Sequence, residues 1–140
     1  MSKRSHVLVA DDDEQDVFLL RRAFTKAGLK HEIVDVHDGE EAIKYLVGNT
    51  GLNPEANGLP SLLVLDIKMP KADGFDVLHW LRRQPELKKM PVVMLSSSSQ
   101  DCDREKARRL GANDYFVKAT QFEELQKVAE TIASRWLKNP

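Results

Sequence analysis

Three short apolar runs punctuate the chain at residues 7–10 (VLVA), 62–65 (LLVL) and 92–95 (VVML), and each ends abruptly in polar residues. Unbroken valine- and leucine-rich runs of this length, without polar alternation, read as strands buried on both faces. Residues 33–36 and 115–117 form two weaker runs of the same kind, which makes five predicted strands. Between the runs the apolar spacing becomes helical. Val17, Leu20, Phe24 and Ala27 recur at that spacing after Asp13, which stands where an N-cap belongs, and Gly28 follows as a stop. Asp38 opens a second helix, with Glu41 three residues on as a variant capping box and Ala42, Ile43, Leu46 and Val47 as its apolar face. Asp73 and Gly74 open a third, with Phe75, Leu78 and Leu81, closed near Pro85. Residues 100–111 hold only Cys102, Ala107 and Leu110 as apolar positions, so the helix there is predicted to dock weakly. The last helix carries Phe122, Leu125, Val128, Ala129, Ile132 and Trp136 on one stripe, a core face whose distal Trp136 suits a partner contact. The interval 48–60, rich in glycine, proline and asparagine, reads as a long surface loop.

Alternating strands and helices imply an α/β fold, a parallel sheet wound on both faces, because parallel neighbours need right-handed crossovers. A length of 140 residues is that of one domain, expected to span 1–140. Lys and Arg number 21 against 22 Asp and Glu, and the net charge of -1 argues against direct DNA binding or attraction to an anionic membrane. The single cysteine, Cys102, excludes an intrachain disulfide and a multi-cysteine zinc site and suits a reducing compartment. The N-terminal apolar stretch is too short for a signal peptide or a span. A cytoplasmic protein is expected.

In sheets of this class ligands bind beyond the carboxyl ends of the strands. Those positions hold Asp11 and Asp12 after the first strand, Asp66 after the third, Ser96 after the fourth and Lys118 after the fifth. Carboxylates packed together raise one another's pKa unless a cation offsets them, and an all-oxygen donor set without His or Cys suits Mg2+. Beside such a cation Asp66 has the chemistry of a carboxylate nucleophile toward a phosphoryl group, with Lys118 neutralising the phosphoryl oxygens and Ser96 donating a hydrogen bond.

With those residues in view, the chain resembles a response-regulator receiver domain of two-component signalling, similar to the single-domain chemotaxis regulator. The likeness rests on VLVADDD, LLVLDIKMP followed by Asp73-Gly74, PVVMLS and GANDYFVK, and spans about residues 7–136. It implies a flavodoxin-like (βα)5 fold, a doubly wound five-stranded parallel sheet of order 2-1-3-4-5. It implies Asp66 as acceptor of a phosphoryl group from a sensor histidine kinase, and Mg2+ held by Asp11, Asp12, Asp66 and the backbone carbonyl of Lys68. Ser96 and Tyr115 resemble the pair that reports phosphorylation, and Lys118 the lysine that pairs with the acceptor. The long loop, the Trp-Leu in FDVLHWLRRQPEL and the terminal SRWL resemble stand-alone regulators encoded with bacterial phytochromes, which makes a bacteriophytochrome a candidate kinase. The same likeness implies a homodimer through the fourth helix, fifth strand and fifth helix. No effector domain is expected beyond the receiver, so the output is expected to be a surface read by an unknown downstream protein. One departure is Ala119, where receivers usually carry proline after the lysine, which leaves the geometry of the 118–119 peptide bond open.

Two other readings stay open at this level. Asp11 and Asp13 have the spacing of a haloacid-dehalogenase-type phosphohydrolase, with Asp11 as nucleophile, although no acidic strand end follows Lys118. An unphosphorylated scaffold with the receiver fold is the other. Among the remaining polar residues, His6, His31, His37 and His79 show no paired ligand spacing and are expected on the surface, and Ser97 to Ser99 as a flexible polar loop.

Overall fold

The computed structural model describes residues 6–49 and 58–137. The elements alternate strictly: β1 (His6–Ala10), α1 (Glu14–Lys26), β2 (Glu32–Val36), α2 (Gly39–Gly48), β3 (Leu62–Leu65), α3 (Gly74–Arg82), β4 (Val92–Ser96), α4 (Asp101–Leu110), β5 (Asp114–Val117) and α5 (Phe122–Trp136). All strand pairs are parallel, in the order β2-β1-β3-β4-β5. The three strong apolar runs are the interior strands, and the weak runs are the edges, where one side of the strand lacks a neighbour to bury it.

Side chains of the interior strands alternate between two cores. Leu8, Ala10, Leu63, Leu65, Val92 and Met94 face α2, α3 and α4, while Val7, Val9, Leu62, Val64, Val93 and Leu95 face α1 and α5. The register sets Ala10 beside Leu65, so that Asp11 and Asp66, the next residues of each strand, leave the sheet side by side.

Local chemistry explains the helix ends. The Asp13 carboxylate accepts from the amides of Gln15 and Asp16 and caps α1. Asp38 caps α2 through the Glu41 amide, but Glu41 reaches the amide of His37 and not that of the cap, so the expected capping box is half formed. The complete box is at α3, where Asp73 and Asp76 exchange hydrogen bonds. Helix α4 buries Ala107 alone, and its N-cap, Gln100, makes no side-chain cap bond. Its C-terminal end is tied down instead. The Arg82 guanidinium donates to the carbonyls of Gly111, Lys88 and Met90 and to the Asn113 side chain. Gly111 caps α4 at a φ of 105°, open to glycine at little cost, and a Cβ there would stand 2.9 Å from Arg82 Nε.

Three expectations need correcting. His6 and His31 are not surface residues but are 2% and 8% exposed. His6 opens a central strand, and its ring packs edge-on to Tyr45, with Nε2 2.9 Å from the phenol oxygen. His31 precedes β2, and its Nδ1 has no hydrogen-bond partner among the described residues. The third concerns the serine run, which is anchored and not simply a flexible loop: Ser98 Oγ donates to Asp103 on α4 at 2.6 Å. His37 and His79 are exposed, as is Cys102. Trp136 is half-buried against the α1–α5 core and donates to Asp114 at 3.2 Å, a contact within the fold. The expected loop at 48–60 falls mostly on 50–57, outside the described residues. No helix of the described residues is long and apolar enough to cross a membrane.

Candidate functional site

The parallel topology carries all carboxyl ends of the strands to one pole of the molecule. There Asp11, Asp12 and Asp66 each offer a carboxylate oxygen, and these atoms lie within 4.8 Å of one another. Asp11 and Asp66 are buried while Asp12 is exposed, so the cluster has a closed floor and an open rim. Lys118, at the exit of β5, reaches across the sheet. Its Nζ stands 2.9 Å from Asp11, 3.0 Å from Asp66 and 2.7 Å from Asp16. Asp66 is held at both oxygens, Oδ1 by the Ile67 amide at 2.8 Å and Oδ2 by Lys118.

Asp16 was not anticipated. It belongs to the acidic first turn of α1, a composition that helix-dipole arguments explain without a site. The available signal was spacing: three residues beyond the cap, the side chain leans back toward the helix N-terminus and hence toward the strand ends.

Charge dominates the site. Burial pushes the Asp11 carboxyl above the ordinary carboxylate range, with the Asp13 amide and the Lys118 ammonium offsetting only part of that push. Burial also works against the charged form of Lys118, but the carboxylates of Asp16, Asp11 and Asp66 outweigh it and hold the ammonium well above its usual pKa. Three carboxylates thus surround one ammonium, and Asp12 adds a fourth negative charge beside Asp11 and Asp66. A hard divalent cation fits such a donor set, which consists wholly of oxygen and carries surplus negative charge.

Ser96 is 1% exposed at the end of β4, and its hydroxyl accepts from the Ser98 amide at 3.2 Å. The Tyr115 ring is buried, its hydroxyl donates to the Ser98 carbonyl at 2.8 Å, and the Arg104 guanidinium lies 4.8 Å from the ring centroid. Ser98 therefore touches both residues of the expected switch pair, one through each of its backbone polar groups. Lys68 follows Asp66 by two residues in the β3–α3 loop, with its side chain in solvent. No cis peptide bond occurs among the described residues, so the bond between Lys118 and Ala119 is trans and the lysine reaches the carboxylates without one.

Residues 7–130 match the response regulator receiver domain family. The chain belongs to that family. Among related proteins, the probable methanogenesis regulatory protein FilR2 of Methanothrix harundinacea is 34% identical over 94% of this receiver and 83% of its own length. The response regulator Rcp1 of Synechocystis is 30% identical over 94% of this chain and 88% of its own, and its Mn2+-bound structure superposes with a TM-score of 0.84. The phosphorylated cyanobacterial phytochrome response regulator RcpA gives a TM-score of 0.85 at 31% identity, covering 96% of this chain and 95% of its own. The receiver is thus a signalling module close to phytochrome response regulators, and its flavodoxin-like fold is theirs. Asp13, the second carboxylate of the phosphohydrolase reading, is engaged as the cap of α1.

Proposed function

We propose that this receiver accepts a phosphoryl group on Asp66 from a sensor histidine kinase and signals through a surface that responds to the modification. The observation that carries this reading is the Asp66 carboxylate, buried beside Asp11 and bridged to it by Lys118. A divalent cation, Mg2+ for preference, would be held by Asp11, Asp12, Asp66 and the Lys68 carbonyl and would supply charge neutralisation at the phosphoryl oxygens.

The residues of the chain do the rest. An Asp66 oxygen bonds to phosphorus as the P–N bond of a kinase phosphohistidine breaks, and the imidazole leaves with its electron pair. Lys118, already within hydrogen-bond distance of Oδ2, follows the negative charge onto the phosphoryl group. Ser96 turns its hydroxyl toward the new oxygens, which frees the Ser98 amide that it now accepts from. Because Tyr115 hangs on the same residue, the rearrangement reaches β5 and the loosely docked α4. The output face is then α4-β5-α5, where a groove of about 440 Å3 lies between α4 and β5, lined by Arg104, Ala107, Ala112 and Tyr115 among others. A second copy of the receiver or a downstream protein would dock there. The likeness to phytochrome response regulators supports a bacteriophytochrome as the kinase.

The test is an intact-mass measurement after incubation with Mg2+ and acetyl phosphate. One phosphoryl adduct is expected in the parent and none in Asp66→Asn. An adduct that survives in Asp66→Asn and disappears in Asp11→Asn would assign the nucleophile to Asp11, and no adduct in the parent would leave a scaffold.

A further inference from the structure

The loop from Ile67 to Asp73 joins the phosphoacceptor strand to α3 and carries the Lys68 carbonyl. It contains the one non-glycine residue with positive φ among the described residues, Lys71 at 72°. The Ala72 amide donates to the Pro70 carbonyl at 2.8 Å across it. A bond between residues two apart around a positive φ is a γ-turn of the strained kind, which persists only where the surroundings impose it.

The surroundings come from another part of the chain, the turn between β2 and α2. Gly39 is buried, its amide donates to the Pro70 carbonyl at 3.5 Å, and Asp38 stands 3.9 Å from the Lys71 ammonium. The contact at Gly39 is close enough that no side chain fits. A Cβ there would lie 2.1 Å from the Ala72 carbonyl oxygen and 2.6 Å from both its carbonyl carbon and its Cβ. Those are mostly backbone atoms, which cannot rotate out of the way. At its far end the loop is closed by the Gly74 amide on the Ile67 carbonyl at 2.7 Å.

We propose that Gly39 is a positioning residue for the cation: the β2–α2 turn presses the strained turn at Lys71 into place and thereby sets where the Lys68 carbonyl stands relative to the carboxylates. This inference rests on the cation site proposed above. It assigns part of that site's geometry to a segment that contributes no ligand. Groups that orient ligands from outside the coordination shell change metal affinity by roughly 10–100-fold when altered.

The experiment is a calorimetric titration of Mg2+ into the parent, Gly39→Ala and Gly48→Ala, with far-UV circular dichroism to follow the fold. Gly48 is the internal control, because a Cβ there meets nothing within 4 Å. The expected result is parent-like affinity in Gly48→Ala and a loss of at least about tenfold in Gly39→Ala. Should Gly39→Ala fail to fold, amide chemical shifts of the parent decide: the Gly39 resonance is expected to move with those of Lys68, Met69, Lys71 and Ala72 at one apparent Kd. Affinity within twofold of the parent in a folded Gly39→Ala, or a stationary Gly39 amide while the loop resonances move, overturns the brace and leaves the cation site standing. A parent that takes up no Mg2+ overturns the cation site and the brace with it.

Discussion

Replacing Lys118 with methionine keeps the side-chain stem and deletes only the ammonium that joins Asp11, Asp16 and Asp66 at 2.7 to 3.0 Å. The lysine side chain is 17% exposed and those of Asp11 and Asp66 8% each, so solvent screens these two pairs weakly, while Asp16 at 37% adds little. Removing one partner of a buried ionic cluster costs about 3–5 kcal/mol, because the charges left behind have no counterion. Protonation sets a ceiling. At pH 7 a carboxyl of ordinary pKa near 4 can be neutralised for about 4 kcal/mol, and Asp11 is already displaced toward that outcome by burial. The expected loss without divalent cation is therefore about 3–4 kcal/mol, or roughly 10 °C in Tm for a domain of this size. Domains of this kind have about 5–15 kcal/mol in hand, so the variant still folds at 25 °C. The sign of the pH dependence follows. In Lys118→Met the clustered carboxyls bind protons more tightly in the native than in the unfolded state, so the penalty shrinks as pH falls from 7 to 5. Urea unfolding in EDTA across that range measures it, and added Mg2+ should recover part of the loss by binding only the native state. An unfolding midpoint equal to the parent's in EDTA, or a penalty that does not change with pH, would refute the electrostatic account.

His31 should give the parent a separate acid sensitivity. Burial lowers its pKa below 6.5, so its stabilising contribution is complete above that pH and declines as pH falls, by at most about 1.4 kcal/mol per pH unit. In His31→Phe the corresponding slope in urea midpoints should vanish. His37, raised by its hydrogen bond to Asp35, acts in the opposite direction: its contribution is full below 6.5 and fades as pH rises through the raised value, a trend that His37→Asn should remove. Arg82→Ala strips five hydrogen bonds that tie α3 to the end of α4, to the segment before β4 and to Asn113, and is expected to cost about 3 kcal/mol in a thermal melt. Arg82→Lys, a point donor in place of a fork, should recover less than half of that, and a loss under about 1 kcal/mol in Arg82→Ala would show the clamp to be idle.

The strands that build the sheet were legible because burial on both faces leaves no room for polar residues in 7–10, 62–65 and 92–95. The candidate site was legible for a topological reason: a parallel sheet sends every strand exit to one pole, so Asp11, Asp66, Ser96 and Lys118 could be collected by position alone. What escaped notice was contact that depends on side-chain direction or on loops. Asp16 sits in a helix turn whose acidity has an ordinary explanation, and the anchoring of Ser98 depends on Asp103 and Tyr115, which lie on other elements. His6 and His31 were misplaced because a single imidazole has no periodic signature, while burial at the start of a strand comes from the packing around it. The closeness of Gly39 to Ala72 is likewise invisible in one dimension, since the two residues meet only when the loops leaving β2 and β3, on either side of β1, fold over the same pole.

The lysine bridge also constrains when the carboxylate cluster can be charge-balanced during the chain's own making. Asp11 follows the first strand and Lys118 follows β5, so a fragment that stops before β5 holds the carboxylates without the ammonium. A polypeptide still lacking its fifth strand presents an acidic patch without its counterweight, and a proteolytic remnant does the same. Charge balance therefore doubles as a completeness check: the acidic cluster gains its counterweight only once β5 has joined the sheet.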